Sequence, residues 1–231
     1  HVRLRHLLTM SSPPSPPQRI LVIGDAFVDV HAGPLADLPT WGTNTVSPEP
    51  IAAMPGGAAL NVASWLQRLL GGGVVLYTGI GRDSFGDLLR AHCAALGLEL
   101  WEAAAEAGAP TGVCMVLSGR EDRAFCSHFG VSDTFDAEAL GVQQLREFRH
   151  VHASGFFSCA ALRRSLPALF RRAHEAGLTT SLDTNHDASG RWGETDGLWA
   201  EVLPLVDLFL PNEREACAIA GAASLDDALR R

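Results

Sequence analysis

Four consecutive large apolar residues, Ile20-Leu21-Val22-Ile23, end in Gly24-Asp25. A strand with one wet face alternates apolar and polar residues. A run without alternation is buried on both faces, as in a parallel sheet covered by helices. Val74–Thr78, Thr179–Leu182 and Val206–Leu210 read the same way. Helical stretches lie among them. Ala58–Leu70 is rich in Ala and Leu and is closed by Gly71-Gly72-Gly73. Phe85, Leu88, Leu89, His92, Cys93 and Leu96 share one helical face ahead of Gly97, and Leu162, Leu166, Leu169, Phe170 and Ala173 form another face that ends before Gly177. This alternation predicts an α/β domain with a mostly parallel sheet and helices on both faces. Two patches break it. Residues 31–55 hold Pro34, Pro39, Pro48, Pro50 and Pro55 and show no helical period, while Gly112–Leu117 and Arg123–His128 read as a hairpin around Ser118–Asp122. Both are expected to pair as a small separate sheet.

Composition narrows the function. The 231 residues are 47% hydrophobic and 19% charged, enough for a real core. A formal net charge of -8 argues against a nucleic-acid surface and against docking on anionic lipid. No apolar run is long enough to span a bilayer. The five cysteines, Cys93, Cys114, Cys126, Cys159 and Cys217, form no C-x-x-C pair. They read as reduced thiols of a cytoplasmic protein, packed as small buried hydrophobes. Residues 1–18, with Ser11-Ser12-Pro13-Pro14-Ser15-Pro16-Pro17, read as a disordered leader, and the basic part before the prolines as a possible transit-peptide remnant. Ser224-Leu225-Asp226-Asp227 reads as a helix start close to Arg231, so the domain over 19–231 is expected to be incomplete at its C-terminal side.

The polar groups at strand ends carry the chemistry, because open α/β sheets build their sites there. Gly56-Gly57 precedes a helix, and without Cβ atoms the backbone N–H groups can approach a ligand. The helix N-terminus adds unpaired donors, and Asn61 in its first turn offers an amide suited to sugar hydroxyls; a plain turn with a capping Asn is the duller reading. Asp25 and Asp29 flank the end of the first strand, where a carboxylate accepts hydroxyl hydrogen bonds or stays a solvated loop charge. Asp183-Thr184-Asn185-His186-Asp187 closes a later strand with the same polar tip, and no second His stands at metal-ligand spacing from His186. His150-x-His152 lies on an apparent strand and reads as a satisfied core or edge pair. In Gly79-Ile80-Gly81-Arg82-Asp83-Ser84-Phe85-Gly86 the dinucleotide fingerprint meets Ser84 where glycine is required. The P-loop pattern meets Asp87-Leu88 where Lys and Ser/Thr are required. Both readings, and with them a nicotinamide-dependent enzyme, give way to a strand-to-helix turn. Asn212-Glu213-Arg214-Glu215 opens a helix, either as a cap or as a group meeting Mg²⁺ through water.

Together, Pro55-Gly56-Gly57-Ala58-Ala59-Leu60-Asn61-Val62-Ala63, then Gly79–Gly86, then Pro211-Asn212-Glu213-Arg214-Glu215 resemble the motifs of the ribokinase/PfkB family of carbohydrate kinases in their order. The resemblance implies a ribokinase-like three-layer α/β/α sandwich with a small β-sheet lid, from about 31–55 and 112–128, which in this family often pairs two subunits. It implies transfer of the ATP γ-phosphoryl group to a hydroxyl of a small-molecule sugar. Asp29, Gly56, Gly57 and Asn61 would hold the sugar. Asn212 and Glu215 would organise phosphate and Mg²⁺, Glu215 through water. Ala58, Phe27 and Gly155 stand where ribokinase carries lysine, asparagine and an acidic sugar contact, which points away from ribose and leaves sugar or nucleoside open. The family's second signature, a glycine-rich anion hole with the catalytic aspartate, has no counterpart in the 231 residues. The chain is therefore expected to be inert in phosphoryl transfer; the alternative is a non-catalytic sugar- or nucleoside-binding homologue.

Overall fold

The computed structural model describes residues 19–192 and 197–230; the leader read at 1–18 lies outside them. In chain order the strands and helices are β1 (Arg19–Gly24), β2 (Phe27–Ala32), β3 (Ala52–Gly56), α1 (Ala58–Leu70), β4 (Val74–Thr78), α2 (Ser84–Leu96), β5 (Glu99–Glu102), β6 (Gly112–Ser118) and β7 (Arg123–His128). They continue with α3 (Val142–Leu145), β8 (Phe148–Ser154), α4 (Ala160–Glu175), β9 (Thr179–Asp183), α5 (Leu198–Val202), β10 (Leu208–Phe209), α6 (Glu213–Ala220) and α7 (Leu225–Ala228).

Six strands form one sheet in the order β10-β9-β8-β1-β4-β5, and every pairing in it is parallel. The non-alternating run of β1 is explained by the two cores it serves. Leu21 and Ile23, with Val75, Tyr77, Val151 and Ala153, meet Leu162, Leu166, Leu169 and Phe170 of α4. Ile20 and Val22, with Val74 and Leu76, meet Ala59, Leu60 and Ala63 of α1 and Leu89 and Cys93 of α2. Each Val, Leu, Ile or Phe among them contributes about 1.5–3 kcal/mol on full burial. The helix stops fall where glycine allows a left-handed residue, at Gly71 (φ 71°) after α1 and Gly97 (φ 61°) after α2.

The second sheet has the order β3-β2-β6-β7 and is mixed, with β2 parallel to β6 and both hairpin pairings antiparallel. It differs from the sequence expectation in extent: its first strand starts at Phe27, and the chain between Ala32 and Ala52 forms no strand. The strand expected over 206–210 shrinks to Leu208–Phe209, because a 3-10 turn over Leu203–Leu205 binds the Val206 N–H. All five cysteines are free. Cys93, Cys114 and Cys159 are buried, but Cys126 on β7 is exposed and Cys217 half-buried, so those two are not core hydrophobes.

Candidate functional site

The carboxyl ends of β1, β8 and β9 converge. Gly24 ends β1 so close to β8 that a Cβ there would overlap the Ser154 carbonyl oxygen. Asp25 follows and is fully buried. Its Oδ1 accepts from the Ala59 N–H of α1 at 3.1 Å, its main-chain oxygen accepts from Leu60 N–H at 3.2 Å, and its Oδ2 lies 2.6 Å from Ser158 Oγ. Burial pushes the Asp25 carboxyl up, against hydrogen bonds from Ser158 and the α1 backbone. The donors read as free at the start of α1 are thus already engaged, which corrects the sequence expectation. Gly57, the N-cap residue at φ 94°, has no side chain with which to cap the helix, and Asp25 does so from the turn between β1 and β2.

Asp29 sits on β2 opposite Met54 of β3 and Cys114 of β6. Gly56 lies two residues beyond Met54, on the same face. A Cβ at Gly56 would fall on the Asp29 carboxyl group, so the carboxylate rests directly on this glycine. Burial raises the Asp29 pKa, and the His31 charge opposes that. The structure therefore brings Asp29 and Gly56 together, with Gly57 next in the chain. Asn61 is exposed in the first turn of α1, its N–H bonded to Gly57 O at 3.0 Å.

Asn212 and Glu215 stand apart, at the same edge of the sheet but beyond β10, three strand spacings or roughly 14 Å from β1. They form a complete reciprocal cap. Asn212 Oδ1 accepts from Glu215 N–H at 2.9 Å, Glu215 Oε2 accepts from Asn212 N–H at 3.1 Å, and Asn212 Nδ2 donates to Glu215 Oε1 at 2.6 Å. Thr184, just past β9, donates to the same carboxylate at 3.3 Å. Both carboxylate oxygens are engaged, which does not fit a direct metal ligand, and among the described residues no cluster of three His, Cys, Asp or Glu can hold an ion.

The Gly79–Gly86 turn is closed on itself. Asp83 Oδ1 accepts from Gly86 N–H at 2.8 Å and from Thr111 Oγ1 at 2.7 Å, its Oδ2 accepts from Thr111 N–H at 2.8 Å, and Thr111 Oγ1 accepts from Gly81 N–H at 3.1 Å. Asp83 caps α2 and ties it to the segment entering β6. Burial pushes the Asp83 carboxyl up, but bonds from Thr111, Gly86 and Phe85 outweigh it and leave the pKa lowered. A group lowered on folding stabilises above its unfolded pKa and loses that contribution as pH falls. Asp83→Ala is therefore expected to cost about 2–3 kcal/mol at pH 7. In urea unfolding, the gap to the parent chain should narrow below about pH 4; a gap independent of pH would contradict the clamp.

His150 and His152 share Ser181 Oγ, each at 2.7 Å, and His150 Nδ1 also reaches Thr179 Oγ1 at 2.8 Å. Burial holds the His152 pKa down at about 4, and among the described residues its buried Nε2 has no hydrogen-bond partner. The pair is only partly satisfied. Sequence reasoning missed Ser158 as a site residue and undervalued Asp25. The one available signal was α1's lack of any Ser, Thr, Asp or Asn at its N-cap, which calls for a cap from elsewhere.

Comparison with known proteins agrees with this architecture. The family model described as pfkB family carbohydrate kinase matches residues 17–231. An ATP-dependent ribose-1-phosphate kinase from Halopiger xanaduensis is 28% identical over 166 residues, covering 71% of this chain and 52% of its own. A fructokinase from Xylella fastidiosa superposes with a TM-score of 0.74 at 25% identity, over 93% of this chain and 66% of that one. The ribokinase from Giardia lamblia gives 0.73 at 20% identity, over 89% and 61%. The chain spans about half the length of the curated relative it matches. With the family model covering nearly all of its length, the chain belongs to the PfkB family of carbohydrate kinases.

Proposed function

We propose that the chain forms the sugar-holding part of an ATP-dependent carbohydrate kinase, within one domain over 19–231 whose second sheet acts as a lid and pairs two subunits. The single observation behind this reading is the Asp29 carboxylate resting on Gly56, where β3 runs into α1. A carboxylate so placed accepts hydrogen bonds from two neighbouring hydroxyls of a polyol. Gly56 and Gly57 let main chain approach the sugar ring, and Asn61 offers a donor and an acceptor on one amide. ATP bound to the complete enzyme supplies the phosphoryl group. In phosphoryl transfer the protein's work is positioning and charge stabilisation. A general base contributes about 10²–10⁴-fold and each donor at the developing charge about 10²–10³-fold. We assign neither to a residue of this chain. Mg²⁺ would meet Glu215 only through water, since its oxygens serve the α6 cap. The free thiols suit a reducing cytoplasm.

Calorimetry on the 231-residue chain with ribose, fructose, ketodeoxygluconate, adenosine and ribose 1-phosphate tests the reading. One of these is expected to bind, with no phosphoryl transfer when ATP is added, and Asp29→Asn is expected to weaken binding about 10–100-fold. Silence from the whole panel at millimolar concentration would sink it. Transfer from ATP would show instead that the chain carries its own catalytic base. The second reading, a non-catalytic sugar- or nucleoside-binding homologue, shares the cradle. It would be selected if the complete coding sequence lacked the second signature.

A further inference from the structure

Asp25 has no assigned role in holding sugar, yet it is the most heavily engaged group at the site. It is buried completely, and three elements converge on it: the end of β1, the first turn of α1, and the turn from β8 into α4. Gly155 in that last turn, at φ 74°, presses so closely that a Cβ there would lie 2.5–2.7 Å from the Asp25 carboxyl atoms. The resemblance places an acidic side chain at position 155. Here that volume is filled by the Asp25 carboxyl, reaching across from β1.

Proton counting distinguishes two ways of holding the group. Ser158 Oγ lies 2.6 Å from Asp25 Oδ2 and 3.0 Å from Gly155 O. A hydroxyl has one proton to donate. If Asp25 is ionised, that proton goes to the carboxylate, and Gly155 O keeps only the Ser158 N–H at 3.0 Å. If Asp25 carries a proton, Oδ2–H donates to Ser158 Oγ, Ser158 O–H donates to Gly155 O, and Oδ1 still accepts from Ala59 N–H. Every proton then has one acceptor. Asp29 and Asp183 lie near enough to add negative charge around the group, and two like charges at one site disfavour ionisation of both.

We infer that Asp25 is a positioning residue of the sugar cradle: as a neutral carboxylic acid it pins the start of α1, and so Gly57 and Asn61, to the β8–α4 turn through Ser158. The assignment of a cradle rests on the proposed function; the pin itself does not. The raised pKa agrees with the proton count. A carboxyl raised on folding contributes stability below its unfolded pKa and loses it as pH rises through the folded value.

Asparagine at 25 copies the neutral acid, with a carbonyl oxygen for Ala59 and an N–H for Ser158; alanine copies neither. The test compares Asp25→Asn, Asp25→Ala and Ser158→Ala in the 231-residue chain. It reads amide exchange at Ala59 and Leu60, thermal stability against pH, and affinity for whichever panel compound binds best. Asp25→Asn is expected to keep affinity within about twofold and Ala59 protection unchanged, with the loss of stability that Asp25 causes at rising pH removed and the Asp83 contribution kept. Asp25→Ala is expected to lose at least 10-fold in affinity and most of the Ala59 protection. Ser158→Ala should shift both in the same direction by less, and it decides the matter if Asp25→Ala does not fold. Unchanged Ala59 protection in Ser158→Ala, or Asp25→Asn as damaging as Asp25→Ala, overturns the pin. If no panel compound binds, amide exchange and the pH slope still decide it, while the sugar reading fails separately.

Discussion

Gly24→Ala is expected to remove about 3–5 kcal/mol of stability. Gly24 holds φ 150°, and an added methyl would strike the main-chain oxygen of Ser154 and approach the Ala59 Cβ. A backbone oxygen in a central parallel pairing cannot step aside as a side-chain tip can, so β1 and β8 would have to part. Domains of this size have about 5–15 kcal/mol to lose. The measurement is urea unfolding, where the midpoint should fall by about 1–3 M. Gly72→Ala is the control. It replaces a glycine at φ 144°, close to that of Gly24, but nothing lies within 4 Å of the new Cβ, so it reports the conformational cost alone. Equal midpoints for the two variants would mean that the close approach of β1 to β8 carries no energetic weight.

Gly56→Ala should behave in the opposite way, with function lost and fold kept. Gly56 has an ordinary strand conformation, and the atoms an added methyl would meet are those of the Asp29 carboxyl group, the free end of a side chain. That side chain can swing away at a cost of about 1–1.5 kcal/mol. On the proposed sugar-holding role, a displaced carboxylate would lose its hydroxyl partners, so affinity for the best panel compound should drop about 100-fold while the melting temperature moves by only a few degrees. Calorimetry alongside a thermal melt separates the two effects. Unaltered affinity in a folded Gly56→Ala chain would remove Asp29 from the cradle.

Much of the architecture was legible because it is written in local pattern. The unbroken apolar run of β1 announces burial on both faces, and the stop at Gly97 is visible in the sequence before α2 is seen in space. The β6–β7 hairpin follows from two strand-like runs around Ser118–Asp122. The short β10 was not legible, because a 3-10 turn at Leu203–Leu205 and strand continuation compete for the same N–H of Val206. The hold of Asp25 on Ser158 was not legible either, since 133 positions separate them and nothing near Asp25 names its partner. Asn212 and Glu215 show a different limit. Their spacing serves a helix cap and a phosphate-handling motif equally well, and the structure displays the cap.

The strand order has a consequence for how this protein is born. β1 lies in the middle of its sheet, between β4 and β8, yet it leaves the ribosome before either of them. Its partner on one side, Phe148–Ser154, is translated more than a hundred residues later. At about 5–20 residues per second that is a wait on the order of ten seconds. Throughout it, Ile20–Ile23 can bury one flank against β4 and α1 while the other flank stays bare. The nascent chain therefore passes through an obligatory sticky interval, and its yield in the cell should depend on chaperones that bind short apolar strands.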